Sequence, residues 1–218
     1  QLENILDKVI NDIDGISVSN LGSLKFVKDR YETNIHGDIG LNIFNSSTIK
    51  LFTENKVNSV TLSPELKLSQ IEKICRNDLS EYEVIGYGFL PLMIMKHCPM
   101  SVIKNCKSMS ECENCNLKQG YGLLDRKDMI FDFKRKGNST IIYNSQPIVV
   151  PEHVKKIYSS NVDMIRLDFT LEEKVRNIQE LYYDFANNII DIKEVEKRVK
   201  DLRYKNGITN GHFFRGVL

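Results

Sequence analysis

Four of the five cysteines, Cys98, Cys106, Cys112 and Cys115, stand in one short polar stretch with the spacing C-x7-C-x5-C-x2-C. Four thiolates this close in sequence can surround a Zn2+ ion tetrahedrally or hold a [4Fe-4S] cluster, because both need about four sulfur ligands. Two disulfides or ordinary thiols would use the same residues, and a metal centre is preferred over them for the C-x2-C half of the pattern. Cys75 stands apart in the amphipathic run Leu68 to Cys75, where a thiol serves as a small buried apolar group. Other candidates are scattered. His36 and Asp38 lie two residues apart, as do Arg166 and Asp168, a spacing that puts both members of a pair on one face of a strand. The first pair suits proton transfer, or a hydrogen bond closing a strand end. The second suits a structural ion pair, or a clamp on an anionic substrate group. Glu65, directly after Pro64, can act as acid, base or hydrogen-bond acceptor, or sit as a stabilising carboxylate at a helix N-terminus. The four histidines, His36, His97, His153 and His212, lie in no Gly-x-Ser-x-Gly or His-Glu-x-x-His context, so hydrolytic chemistry has no motif of its own here.

The elements that would carry these residues alternate. After an opening helical pattern (Leu2, Ile5, Leu6, Val9, Ile10), strand-like runs at 16–20, 34–42, 57–65 and 83–88 are separated by helical runs at 21–31, 46–55 and from Leu68 to Cys75. A fifth strand-like run, Asp163 to Phe169, follows a helix begun by Pro151, and amphipathic helices are expected at 171–187 and 191–204. Such alternation argues for parallel pairing through crossovers, and neither a dinucleotide fingerprint nor a phosphate loop is present. The expectation is an α/β fold of TIM-barrel-like βα repeats. A closed barrel needs eight strands and five are legible, so the chain reads as the C-terminal part of a barrel, with the missing strands before Gln1. The span 91–150 reads as an insertion holding the cysteine loop and a β-hairpin with a basic tip, Lys134-Arg135-Lys136, within one domain of residues 1–218. In such a fold functional groups gather at strand carboxyl ends, which adds Asn42, Ser63 and Tyr87 as substrate-binding candidates. The aromatic tail is expected to dock at the barrel mouth, where His212 and Arg215 cap it or bind substrate, with Phe213 and Phe214 as packing anchors.

The chain's 218 residues allow a sizeable core, with 41% hydrophobic and 27% charged residues. Thirty basic residues against 29 acidic ones leave a net charge of +1, without the basic surplus of a dedicated nucleic-acid binder. No membrane-length apolar run and no signal-like N-terminal pattern occur, so a cytoplasmic location is the expectation, and in a reducing compartment clustered cysteines are more often ligands than disulfides. Oligomeric state is not legible.

Several segments are familiar in combination: Glu83-Val-Ile-Gly-Tyr87-Gly88-Phe-Leu-Pro91-Leu-Met93, His97-Cys98-Pro99-Met-Ser101, Tyr121-Gly-Leu-Leu-Asp125-Arg126 and Gly211-His212-Phe-Phe-Arg215-Gly216. With His36 to Ser46 and Leu62-Ser63-Pro64-Glu65, they resemble the collagenase-like peptidase family numbered U-32, of unassigned catalytic type. Glu83, Gly88, Cys98 and Ser101 match the family signature, and Cys112 and Cys115 resemble its later cysteine pair. Pro91 stands where the first signature cysteine would be, and Cys106 is an extra that can replace it. The resemblance implies a metal-centre enzyme similar to the family's oxygen-independent hydroxylases, which modify RNA bases or a quinone precursor. The alternative that the family's name implies is a peptidase acting on a peptide substrate, for which the residues offer no hydrolase motif. A third expectation is a non-catalytic module stapled by zinc.

Overall fold

A computed structural model describes residues 2–106, 121–172 and 175–215. Helix α1 (Leu2–Val9) leads into β1 (Gly15–Val18), α2 (Leu21–Arg30), β2 (Asn34–Gly37), α3 (Ser46–Thr53), β3 (Ser59–Thr61), α4 (Leu68–Cys75) and β4 (Glu81–Gly88). These strands pair in the order β1-β2-β3-β4, all parallel, and the later strand β10 (Met164–Asp168) adds in parallel to the far side of β4. The result is a curled parallel sheet forming a half-barrel, an α/β fold in which all five strand-like runs find a place.

Local chemistry explains the helix starts. Asn20 and Asn45 accept from the backbone N–H of Ser23 and Thr48 at 2.8 and 2.9 Å, capping α2 and α3. One face of the sheet is apolar. Val18, Ile35, Val60, Tyr82 and Val84 are buried in one core with Leu24, Val27, Ile49, Phe52, Ile71 and Cys75 from α2, α3 and α4. At about 1.5–3 kcal/mol for each fully buried large side chain, this layer dominates the sheet's stability. Because side chains alternate along a strand, the opposite, inner face of the curl carries Ser59, Thr61, His36, Glu83 and Arg166. Parallel sheets are ordinarily apolar on both faces. This one is polar on the inside.

Between β4 and β10 the chain builds a second sheet. Strands β5 (Pro91–Met95), β6 (Tyr121–Leu124), β7 (Ile130–Lys136) and β8 (Ser139–Tyr143) pair antiparallel in the order β5-β8-β7-β6. Strand β9 (Ile148–Val149) then returns to pair antiparallel with Tyr87 and Gly88 at the carboxyl end of β4. The expected hairpin is β7–β8, but Lys134, Arg135 and Lys136 lie within β7 rather than at the turn. Gly137, at φ 56°, and Asn138 make the turn alone. Lys134 donates to the Thr170 carbonyl, and Arg135 donates to the Lys96 carbonyl at 3.1 Å and to Thr140 at 3.0 Å, so these two cations bond within the chain.

Helices α5 (Met100–Ile103), α6 (Val154–Tyr158), α7 (Val175–Ala186) and α8 (Ile192–Asp201) complete the chain. The last three form a second core with Tyr87, Val149, Val154, Ile178, Leu181, Tyr182, Phe185 and Val195. The register of β4 against β10 slips at Gly86. The freed Gly86 carbonyl accepts from the buried Tyr182 hydroxyl at 2.6 Å, and that hydroxyl accepts from the Val150 N–H at 2.8 Å. Among the described residues no helix is long and apolar enough to cross a membrane.

Candidate functional site

The polar inner face is organised by one guanidinium. Arg166, on β10, places Nη1 2.7 Å from Asp38 Oδ1 and 3.2 Å from Glu83 Oε1, joining the end of β2 to the middle of β4. Asp38 is held in turn by the Ser19 hydroxyl at 3.1 Å and the Ile39 N–H at 2.7 Å. Glu83 accepts from Thr61 Oγ1 at 2.7 Å, and His36 bridges Thr61 (Nε2, 2.9 Å) and Ser59 (Nδ1, 2.8 Å). His36 and Glu83 lie 3.5 Å apart. The chain of contacts runs Asp38, Arg166, Glu83, Thr61, His36, Ser59 across three neighbouring parallel strands and β10.

Burial and partners compete over the charges. Burial alone would raise the carboxyl pKa of Asp38, but the hydrogen bond from Arg166, that from the Ile39 N–H and the guanidinium charge outweigh it and hold the group below the usual range. Burial likewise opposes ionisation of Glu83, and hydrogen bonds from His36 and Thr61 with the Arg166 charge reverse the balance. Arg166 is lowered by burial yet raised overall by the Asp38 hydrogen bond and by the charges of Glu83, Asp38 and Asp168. Two carboxylates contact the one guanidinium and the charge of a third, Asp168, acts on it from farther away, so these four groups together are net acidic. Arg166 Nε is buried without a partner among the described residues.

The structure joins His36, Asp38 and Arg166, with Asp168 close to the guanidinium. The pairings differ from the two-apart reading: Arg166 bonds across strands to Asp38 and Glu83, because the inner side chains of a curled sheet converge on one another. The remaining candidates lie elsewhere. Glu65 is exposed in the turn after Pro64, before α4 begins, and its N–H rests 3.3 Å from the Ser63 hydroxyl. Ser63 is buried and Asn42 is an exposed residue at φ 51° ending a helical turn. Tyr87 points into the second core, fully buried, its hydroxyl on that of Tyr204 and its phenol pKa pushed far up by burial. It sits on the helix-covered side of the sheet. His212 and Arg215 form no hydrogen bond or ion pair with the cluster among the described residues. The tail does dock: Phe213 is buried, its carbonyl accepts from the Leu68 N–H at 2.9 Å, and Phe214 lies 4.4 Å from the His153 ring.

Ser59, Thr61 and Glu83 complete the cluster, and sequence reasoning did not name them as site residues. The available signal was a carboxylate alternating with Tyr82 and Val84 inside an apolar strand, where a charge needs a partner. Of the four clustered cysteines, Cys98 and Cys106 are half-buried at the two ends of α5, whereas Cys112 and Cys115 lie outside the described residues. Ser101 ties the first two together: its N–H and hydroxyl donate to the Cys98 carbonyl at 2.9 and 2.7 Å, and its carbonyl accepts from the Cys106 N–H at 2.9 Å. Among the described residues no group of three His, Cys, Asp or Glu has the arrangement of a metal site. A separate recess of about 660 Å³, lined by Ile13, Asp14, Tyr31, Asn34, Lys56 and Asn58, opens at the amino ends of the strands, the end barrel enzymes use for stability.

Fold and cluster together define a βα half-barrel protein with an ionisable site on its inner face and a cysteine-bearing insertion at the carboxyl end of one strand. The sequence model of peptidase family U32 matches residues 1–216 of the 218, and the chain belongs to that family. Searches of curated proteins and of solved structures return no match.

Proposed function

We propose that this U32 chain is a metal-centre enzyme of the oxygen-independent hydroxylase kind, taking an unsaturated ring onto the inner face of the half-barrel. One observation carries the reading. The insertion with Cys98 and Cys106 leaves the barrel just after Gly88 and returns through β9 against that same residue, so it springs from the rim that holds Arg166 and Asp168. The donor chemistry fits, since the Ser101 contacts fold Cys98 and Cys106 back on one short loop, and Cys112 and Cys115 supply the other two thiolates. An iron-sulfur cluster bound there would supply one-electron chemistry, and zinc would hold the loop's shape. The chain's own residues bind and orient: the part-exposed Arg166 guanidinium donates to a ring oxygen, and His36 holds a proton at Nε2 while Nδ1 accepts one. The acidic balance of the face favours a free ring, such as a quinone precursor, over the phosphates of RNA.

Anaerobic purification followed by iron, sulfide and zinc analysis tests this, with mass spectrometry of candidate ring compounds for gain of one oxygen. The expected result is about four irons with matching sulfide per chain, lost in Cys112→Ser with folding retained. Stoichiometric zinc without sulfide would sink the hydroxylase and leave the staple.

Peptide hydrolysis, the activity in the family's name, is the second reading. It is favoured by the contact between His36 and the Ser59 hydroxyl, and by an acidic face suited to neutral or cationic chain segments.

A further inference from the structure

The contacts of His36 determine which way its protons point. Glu83 is an ionised carboxylate that only accepts, so the single hydroxyl proton of Thr61 is spent on Glu83 Oε1 at 2.7 Å. Thr61 can then only accept from His36 Nε2, 2.9 Å away, which places the imidazole proton on Nε2. In the neutral ring Nδ1 keeps its lone pair, and the group facing it at 2.8 Å is the hydroxyl of Ser59. Ser59 therefore donates to a base, and the base is oriented through a hydroxyl by a carboxylate. The arrangement satisfies the geometric requirement for an activated hydroxyl: nucleophile within hydrogen-bond reach of a base, and base held by a third group. The chain spacing explains why it forms. Ser59 and Thr61 stand two apart on the inner face of β3, and His36, on β2, pairs in register with Ser59, so the ring lies along both hydroxyls.

Ser59 is half-buried at the start of its strand, with the exposed Glu81 beside it in register on β4, so its hydroxyl is part-open to solvent. The buried thiol of Cys75 fits less well. Cys75 is buried in the helix layer with its thiol pushed up to about 12 by burial and by Asp163, which leaves it inert at neutral pH.

We propose that Ser59 is a nucleophile, activated by His36 through the Thr61–Glu83 relay, and that it accepts acyl groups from amides or esters of neutral or cationic chains. The inference takes the hydrolytic reading further, names a serine catalytic type for it, and needs no metal. In the first step Ser59 Oγ bonds to the carbonyl carbon while its proton passes to His36 Nδ1 and the carbonyl π pair moves onto oxygen. Collapse breaks the bond to the leaving amine or alcohol, which takes the proton from His36. Water then adds to the acyl-serine, giving its proton to Nδ1, and the proton returns to Ser59 Oγ as the acid leaves. Amide and water become acid and amine, with no oxidant or reductant involved.

The test is fluorophosphonate labelling of the full chain, before and after chelation, with the modified residue located by mass spectrometry. One adduct per chain on Ser59 is expected, insensitive to chelation, absent in Ser59→Ala, slowed at least about 100-fold in His36→Gln, and slowed about tenfold in Thr61→Val. Circular dichroism establishes that each variant is folded. An unmodified Ser59 in folded wild-type protein, or labelling as fast in His36→Gln as in wild type, overturns the proposal. Hydrolysis of denatured collagen, measured alongside, separates the two ideas. Adducts on Ser59 without hydrolysis retire the peptide reading and keep the nucleophile, whereas hydrolysis persisting in Ser59→Ala retires the nucleophile and keeps the peptide reading.

Discussion

Replacing Arg166 by methionine removes the charge that joins β10 to β2 and β4 while keeping much of the side chain's volume. In the wild type one Nη1 lies 2.7 Å from Asp38 and 3.2 Å from Glu83. At an effective dielectric near 20, each such pair carries roughly 5 kcal/mol of gross attraction, most of it offset by desolvation. The three side chains retain 24%, 23% and 13% of their exposure, which places the site between surface and interior. The net cost of Arg166→Met at pH 7 is therefore about 2 kcal/mol, above the 1 kcal/mol ceiling typical of surface pairs and below the ~3–5 kcal/mol of a fully buried charge left alone. For a chain of this size that lowers the melting temperature by about 4–8 °C.

The pH dependence tests the mechanism. With Arg166 present both carboxyls sit below their ordinary range, so their stabilisation is complete at neutral pH and is lost only as pH falls through those lowered values. Without it two carboxylates share a half-buried site, at least one is raised above its unfolded value, and the folded state then binds protons more tightly. The deficit should shrink between pH 7 and pH 5, where the wild type stays level. Asp38→Asn in the Arg166→Met background should recover much of the loss at pH 7. Thermal and urea unfolding followed by circular dichroism read all three. A deficit of equal size at pH 5 and pH 7, or no deficit at pH 7, would refute the reasoning.

Gly88 sits at φ 138° with space for a Cβ only 2.5 Å from the Asp168 carbonyl oxygen, so Gly88→Ala should destabilise by at least about 2 kcal/mol and loosen β4 from β10, visible as faster amide exchange on both strands. Tyr182→Phe leaves the Gly86 carbonyl and the Val150 N–H unpaired in a fully buried place and should cost about 2–4 kcal/mol in urea unfolding, against less than about 0.5 kcal/mol for the exposed Tyr183→Phe. In native protein at pH 8, alkylation with iodoacetamide should spare Cys75, whose thiol is buried and pushed up to about 12, while unfolded protein is modified there at once. Modification of native protein at Cys75 would contradict its place in the core.

Much of the architecture was legible because βα repetition rests on local periodicity. The runs at 16–20, 34–42, 57–65, 83–88 and 163–169 each overlap a strand of the parallel sheet, and α2, α3 and α4 fall within the helical runs at 21–31, 46–55 and 68–75. Strands β5 and β6 were not legible. Pro91–Met95 is an unbroken apolar run with no polar alternation, and Tyr121–Leu124 is short, so each is defined by its partner across the sheet rather than by its own pattern.

The site divides the same way. His36, Asp38, Arg166 and Asp168 were found as residue types two apart on strands, which is a local property of the chain. Reading strand ends also drew in Tyr87, yet the register slip at Gly86 in β4 sends that ring to the helix-covered side. Glu83 joined Arg166 and Thr61 only in three dimensions. By itself the sequence determined the alternation of elements, the family's motifs and which side chains could carry charge or metal, since these depend on neighbours a few residues apart. Tertiary structure alone decided that Arg166 reaches Asp38, 128 residues away, and that His36 faces Ser59 across two strands, because curling a parallel sheet converges its inner side chains and no local spacing encodes that approach.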